Sequence, residues 1–241
     1  MILLFTDFGS EGPYQGQLMA RLRQAGYEGD IFPLFSDAPV FSPKASGCLL
    51  AAYMLDFPPD SIFLSIVDPG VGSNRRALVI KACDRWFVGP DNGLFGPLLH
   101  LDKQAEIWEI IWRPDKLSAS FHGRDLFAPV AAALHAGSMA EKLQKLSKAE
   151  IDTAEVDLDV NEIIYIDHYG NGMTGIRAEG NSGVAIIGAQ ELPLSRTFSD
   201  VADGAALAYV NANGLIEIAV NQGRADAFFN LKIGTPVIFK T

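Results

Sequence analysis

Cysteine is nearly absent: Cys48 and Cys83 are the only two in 241 residues, with no CxxC pair and no Cys/His cluster. That excludes a disulfide framework and a zinc finger, and it fits a reducing compartment. Long apolar runs are missing as well, and no stretch approaches the roughly 20 apolar residues that a membrane-spanning helix needs. Residues 1–6 read as a strand, with no basic segment ahead of an apolar one and no small-residue cleavage site, so no signal peptide is expected. Basic residues are scarce: 19 Lys and Arg face 29 Asp and Glu, for a net charge of −10. So acidic a surface repels phosphate backbones, and neither nucleic acid nor membrane is an expected partner. The expectation is a cytoplasmic protein that handles a small molecule, with a cationic one best suited to the field.

Apolar residues make up 49% of the chain, enough for a full core. In the first half, short apolar strands at 2–5, 31–35, 62–67, 77–82 and 86–88 alternate with helical stretches at 16–25, 44–55 and 126–136. Continuous apolar strands separated by helices predict a mostly parallel α/β sheet. Residues 139–159 are charged and read as a surface helix plus a linker. Beyond them, strands at 161–166, 183–188, 205–211, 215–220 and 236–239 are punctuated by Gly and Asn, the pattern of an antiparallel β domain. The expected domains are therefore 1–155 and 156–241.

Ligands of open α/β sheets sit beyond the carboxyl ends of the strands. Three acidic loops fall there: Thr6-Asp7-Phe8-Gly9, Asp68-Pro69-Gly70-Val71-Gly72 and Gly89-Pro90-Asp91-Asn92-Gly93. Asp, Pro and Gly also build tight turns, so each loop alone has an ordinary explanation. The run Phe121-His122-Gly123-Arg124-Asp125 adds an imidazole suited to proton work near neutral pH, whereas Arg124 and Asp125 are expected to pair or cap a helix. The glycines at 68–73 fit neither a P-loop nor a dinucleotide fingerprint. Asp7, Asp68 and Asp91 could converge on a divalent metal, but spacing alone does not bring them together. On these grounds the sequence reaches a small-molecule site at a sheet edge.

The motifs Val67-Asp68-Pro69-Gly70-Val71-Gly72-Ser73, Pro90-Asp91-Asn92-Gly93 and Phe121-His122-Gly123-Arg124-Asp125-Leu126-Phe127-Ala128-Pro129 occur in order after Thr6-Asp7-Phe8-Gly9. Ile166-Asp167-His168-Tyr169-Gly170-Asn171 and Glu217-Ile218-Ala219-Val220-Asn221-Gln222-Gly223 follow. This set resembles the S-adenosylmethionine hydroxide adenosyltransferase family, relatives of fluorinase and chlorinase, over nearly the whole chain. The resemblance implies an N-terminal α/β sandwich domain and a smaller C-terminal antiparallel β-barrel-like domain. It also implies a homotrimer with sites between one subunit's N-domain and its neighbour's C-domain. The implied reaction, without metal or cofactor, hydrolyses S-adenosyl-L-methionine to adenosine and methionine.

By the same resemblance Asp68, Arg75 and His122 form a water-activating triad. Asp7 would grip ribose hydroxyls, Phe41 would lie near the ribose, and Tyr169 and Asn171 would contact adenine. Asp167 would face the methionine ammonium, and Glu217 and Val220 would touch adenosine. Gly12, Ala212 and Gly175 depart from the family's usual Asp, Ser and Asn. These departures keep open a catalytically idle S-adenosylmethionine- or adenosine-binding protein. A chloride-using relative is disfavoured, because the Asp68 carboxylate would repel a halide.

Overall fold

The computed structural model describes residues 1–151, 158–178, 180 and 182–241. The chain divides into two compact units, Met1–Gly47 with Leu55–Val156, and Cys48–Met54 with Asp157–Thr241.

The first unit is built on seven strands: β1 (Ile2–Thr6), β2 (Ile31–Phe35), β3 (Ile62–Ile66), β4 (Ala77–Ala82), β5 (Arg85–Pro90), β6 (Glu106–Ile110) and β7 (Leu143–Leu146). Helices α1 (Tyr14–Gln24), α3 (Gly96–Leu101) and α4 (Ala128–His135) are interspersed, and α2 (Pro43–Tyr53) starts in this unit and ends in the second. The sheet order is β2-β1-β3-β5-β4-β6-β7. Alternate residues of the central strands, Ile2 and Leu4, Ile62 and Leu64, and Val79 and Val88, pack with Leu18 and Leu22 of α1 and Val130 and Ala131 of α4. The opposite face, with Leu3, Phe5, Phe63 and Phe87, is buried too, which is why these strands read as unbroken apolar runs.

The sheet is mixed, not mostly parallel. Strands β2, β1, β3 and β5 run parallel, and β4, β6 and β7 are antiparallel to their neighbours. The cause is local. Only Cys83 and Asp84 separate β4 from β5, both with positive φ (49° and 58°), and a two-residue loop of that kind can only close a hairpin. The surface helix expected within 139–159 is also absent from its described part. Residues 143–146 instead form β7, the sheet's outer strand, flanked by single 3-10 turns at Ala140–Lys142 and Lys148–Glu150. Its Gln144 and Lys145 are exposed, as an edge strand needs in order to avoid pairing with other chains. The rest of that linker, 152–157, lies outside the described residues.

The second unit carries β8 (Val160–Ile166), β9 (Gly172–Arg177), β10 (Val184–Ile187), β11 (Gln190–Pro193), β12 (Ala206–Val210), β13 (Leu215–Val220) and β14 (Ile238–Lys240), with the short helix α5 (Ala225–Phe229). They form two antiparallel sheets, β11-β10-β14 and β12-β13-β9-β8, around a core that includes Ile163, Ala185, Ile216, Ile218 and Val237. Single bridges, Glu162 with Pro236 and Leu194 with Ala208, join their edges in place of continuous ladders. Strand β9 escaped the sequence reading because Gly172 and Gly175 look like turn punctuation. They are packing residues: a Cβ on Gly175 would lie 2.1 Å from Val160 Cγ2, and one on Gly172 2.7 Å from Leu231 Cδ1.

Candidate functional site

Strands β1 and β3 are parallel neighbours, with Thr6 in register with Ile66. Asp7 and Asp68 therefore emerge from adjacent strand ends and line one cavity of about 680 Å³ with Phe41. Burial first, and the Asp68 charge among the lesser causes, push the Asp7 carboxyl above the ordinary range. The backbone N–H of Phe41 donates to Asp7 Oδ2 at 3.4 Å. Phe41 holds φ at 58° with 75% of its surface exposed, a combination that core packing does not explain.

Asp68 is gripped from behind. Arg75 Nε donates to its Oδ1 at 2.7 Å and Nη2 to its Oδ2, a forked pair whose side chains are only 5% and 8% exposed. Arg75 Nη2 also lies 3.3 Å from His122 Nδ1. A guanidinium has only donors, so Nδ1 must accept and the neutral imidazole carries its proton on Nε2. Burial, then the Arg75 charge, hold His122 below the usual imidazole value, which keeps it neutral and able to accept. The Phe127 ring lies 5.3 Å under the Arg75 guanidinium. Residues 68, 75 and 122, distant in sequence, thus form one cluster. A π-helical turn at Gly123–Phe127 leads from it into α4.

The remaining acidic candidates part company. Arg76 Nη1 lies 3.8 Å from Asp91 Oδ2, so Asp91 does not join Asp7 and Asp68. Among the described residues, no three or more His, Cys, Asp or Glu side chains group as a metal site. Arg124 forks onto Asp125 at 2.6 and 2.8 Å, the pairing expected of them.

In the second unit Asp167, Tyr169, Asn171, Glu217 and Val220 line a single cavity of about 620 Å³. The loop between β8 and β9 turns at Gly170 (φ 86°), where a Cβ would fall 2.6 Å from Asp226 Oδ1. That turn lets Asn171 donate twice to Asp167, from its backbone N–H at 2.8 Å and from Nδ2 at 3.0 Å. Tyr169 is 72% exposed, so it too is no core aromatic. Glu217 is 2% exposed, and burial raises its carboxyl above the ordinary range.

Two residues missed by sequence reasoning hold that carboxyl: Tyr209 Oη donates to Oε1 and Asn211 Nδ2 to Oε2 at 2.9 Å. The signal was the alternation Tyr209-x-Asn211, with Tyr209 directly opposite Glu217 in the β12–β13 register. Of the departures, Gly12 sits at φ 101°, a conformation an aspartate would adopt only with strain, and Ala212 is exposed.

Residues 2–144 match the SAM hydroxide adenosyltransferase N-terminal domain and residues 161–238 the C-terminal domain. The chain belongs to the SAM hydroxide adenosyltransferase family. A Thermus thermophilus protein named (R)-S-adenosyl-L-methionine hydrolase is 32% identical, over 98% of each chain. A Nocardia brasiliensis fluorinase is more distant, 26% identical over 79% of this chain and 81% of its own. The crystal structure of a conserved protein from Thermotoga maritima superposes with a TM-score of 0.87 at 30% identity, covering both chains completely. No helix among the described residues is long and apolar enough to cross a membrane.

Proposed function

We propose that this protein hydrolyses S-adenosyl-L-methionine to adenosine and L-methionine, by attack of water or hydroxide on ribose C5′. The observation that carries the reading is the half-buried Asp68–Arg75–His122 cluster, whose carboxylate faces the cavity that also holds Asp7. A sulfonium departs as a neutral thioether and needs no protonation, so no cofactor is required at the leaving group. The protein has only to orient and activate one water in line with the C5′–S bond.

Asp68, immobilised by the Arg75 fork, orients that water and accepts its proton. Arg75 stabilises hydroxide character on the oxygen. His122 acts through Arg75, because its Nδ1 lone pair fixes Nη2. Asp7 takes ribose hydroxyls and Phe41 covers the sugar. Tyr169 and Asn171 contact adenine, Asp167 meets the methionine ammonium, and Glu217 and Val220 contact adenosine.

The domains we assign are 1–155, with the catalytic residues, and 156–241, with the adenine and methionine contacts. Edge bridges between the two small sheets support a barrel-like form for the second. We place the enzyme in the cytoplasm as a homotrimer, one subunit's N-terminal domain facing its neighbour's C-terminal domain. The exposure of Phe41 and Tyr169 in the single chain supports a neighbour over both. The net charge of −10 favours a cationic substrate over nucleic acid or anionic membrane.

Incubation of purified protein with S-adenosyl-L-methionine, followed by chromatography, is expected to give equal amounts of adenosine and methionine. Tight binding without product would favour the idle binder, and a chlorinated adenosine in added chloride the halide reading.

A further inference from the structure

A third cavity, of about 430 Å³, lies on the far side of the cluster: Arg75 and His122 line it, whereas Asp68 does not. Three guanidiniums, Arg75, Arg76 and Arg113, meet there against the single carboxylate Glu109. Two of the three are already balanced, Arg75 by Asp68 and Arg76 by Glu109 at 3.4 Å and Asp91 at 3.8 Å. Arg113 is not. Its Nη1 donates to the backbone carbonyls of Ile110 and Trp112, and among the described residues it meets no carboxylate, which leaves Nε and Nη2 uncommitted. Ser73 adds a hydroxyl that accepts from the Arg75 backbone N–H at 3.3 Å and keeps its own proton to donate. Arg113 is solvent-exposed, so its two free donors are open to an anion arriving from bulk water.

We propose that this rear cavity binds a small oxyanion such as inorganic phosphate, held by Arg113, and that the bound anion governs the protonation of His122. Forked N–H donors match tetrahedral oxyanions, which distinguishes this class from a spherical halide. The charged groups acting on His122 are Arg75 and Asp68 from the loop after β3, Arg113 from the segment after β6, and Asp125 from its own turn, and Arg76 and Glu109 share its cavity as a mutually balanced pair. Arg113 and Arg75 disfavour the imidazolium. An anion seated between Arg113 and the ring cancels part of that repulsion, so it favours the charged form and moves its titration to higher pH. Protonated His122 cannot accept from Arg75. If the hydrolase reading holds, phosphate therefore inhibits from behind without competing with substrate, most strongly on the acid side.

The test is a pH titration of the His122 ring signals by NMR on the full chain, with phosphate and with chloride at matched ionic strength. Phosphate is expected to raise the midpoint saturably by about one pH unit, a tenfold change in proton affinity. Chloride is expected to leave it in place. Arg113→Gln should abolish the phosphate effect and Arg113→Lys, which keeps the charge but loses the fork, should weaken it. An absent shift in the wild type, an equal shift with chloride, or a full shift retained in both folded variants would overturn the proposal. The readout does not involve turnover, so its failure is separable from failure of the hydrolase reading, which product analysis decides.

Discussion

The two cavities handle carboxylates in opposite ways. In the first unit Asp68 is pinned by a full positive charge, itself steadied by an imidazole. In the second, Asp167 and Glu217 are held by neutral donors: Asn171 for one, Tyr209 and Asn211 for the other. A carboxylate fixed by a guanidinium keeps its geometry while charge develops, which is what a reacting water needs. Carboxylates held by amides and a phenol keep most of their negative charge for a ligand, which suits recognition of a cation. The Asp68 cluster is built for chemistry and the second cavity for grip.

That contrast breaks if variants of the Asp68–Arg75–His122 cluster alter binding, or variants of the second cavity alter turnover. The largest effect is expected from Asp68→Asn and Arg75→Ala, each lowering kcat by about 10²–10³-fold with KM little changed, measured by steady-state kinetics on folded protein. His122 comes next. Asn at this position can present Oδ1 where Nδ1 now accepts from Arg75, so His122→Asn should retain far more activity than His122→Ala. Loss of both to the same degree would make the ring a proton relay.

The pH profile sharpens this point. His122 is held below its usual value, so wild-type kcat should fall only as pH drops below about 6.5, and His122→Asn should lack that limb. The sign for stability is the same. Between its two values the unfolded chain binds more protons at this site than the folded one. The stability His122 contributes is therefore complete above the unfolded value and is lost as pH falls toward the folded one.

In the second cavity, Glu217→Gln should raise KM by about ten- to a hundredfold at nearly constant kcat, the scale of one hydrogen bond to a charged group. Tyr209→Phe, which only frees the carboxyl to move, should raise it by about three- to tenfold. Gly175→Ala forces a methyl against Val160 and should cost about 1–3 kcal/mol, read as a Tm lower by several degrees, with the first cavity's chemistry intact.

Much of this was legible in the chain. Strand Leu215–Val220 was read to the residue, because six consecutive buried positions between Asn-Gly and Asn-Gln-Gly turns leave little choice. What escaped were elements whose residues serve neighbours far away. Gly172 and Gly175 are glycines because β8 and Leu231 press on β9, and no local pattern carries that. Strand β6 carries no strand signal of its own, because Glu106, Trp108 and Glu109 surround only two buried residues, Ile107 and Ile110. For the cluster, the family resemblance implied Asp68, Arg75 and His122, but their meeting depends on a loop after β3 folding back against the turn before α4. Tyr209 and Asn211 were hidden for a simpler reason: a hydrogen-bonding partner across a β pair shows only once the register is known.

The most direct measurement of the central claim is turnover in water enriched in oxygen-18, with the adenosine analysed by mass spectrometry. Attack of water at C5′ requires adenosine to carry one heavy oxygen at the 5′ position, in the same fraction as the solvent, and methionine to carry none. Adenosine without the label, or a different nucleoside product from cleavage of another sulfonium bond, would contradict the account.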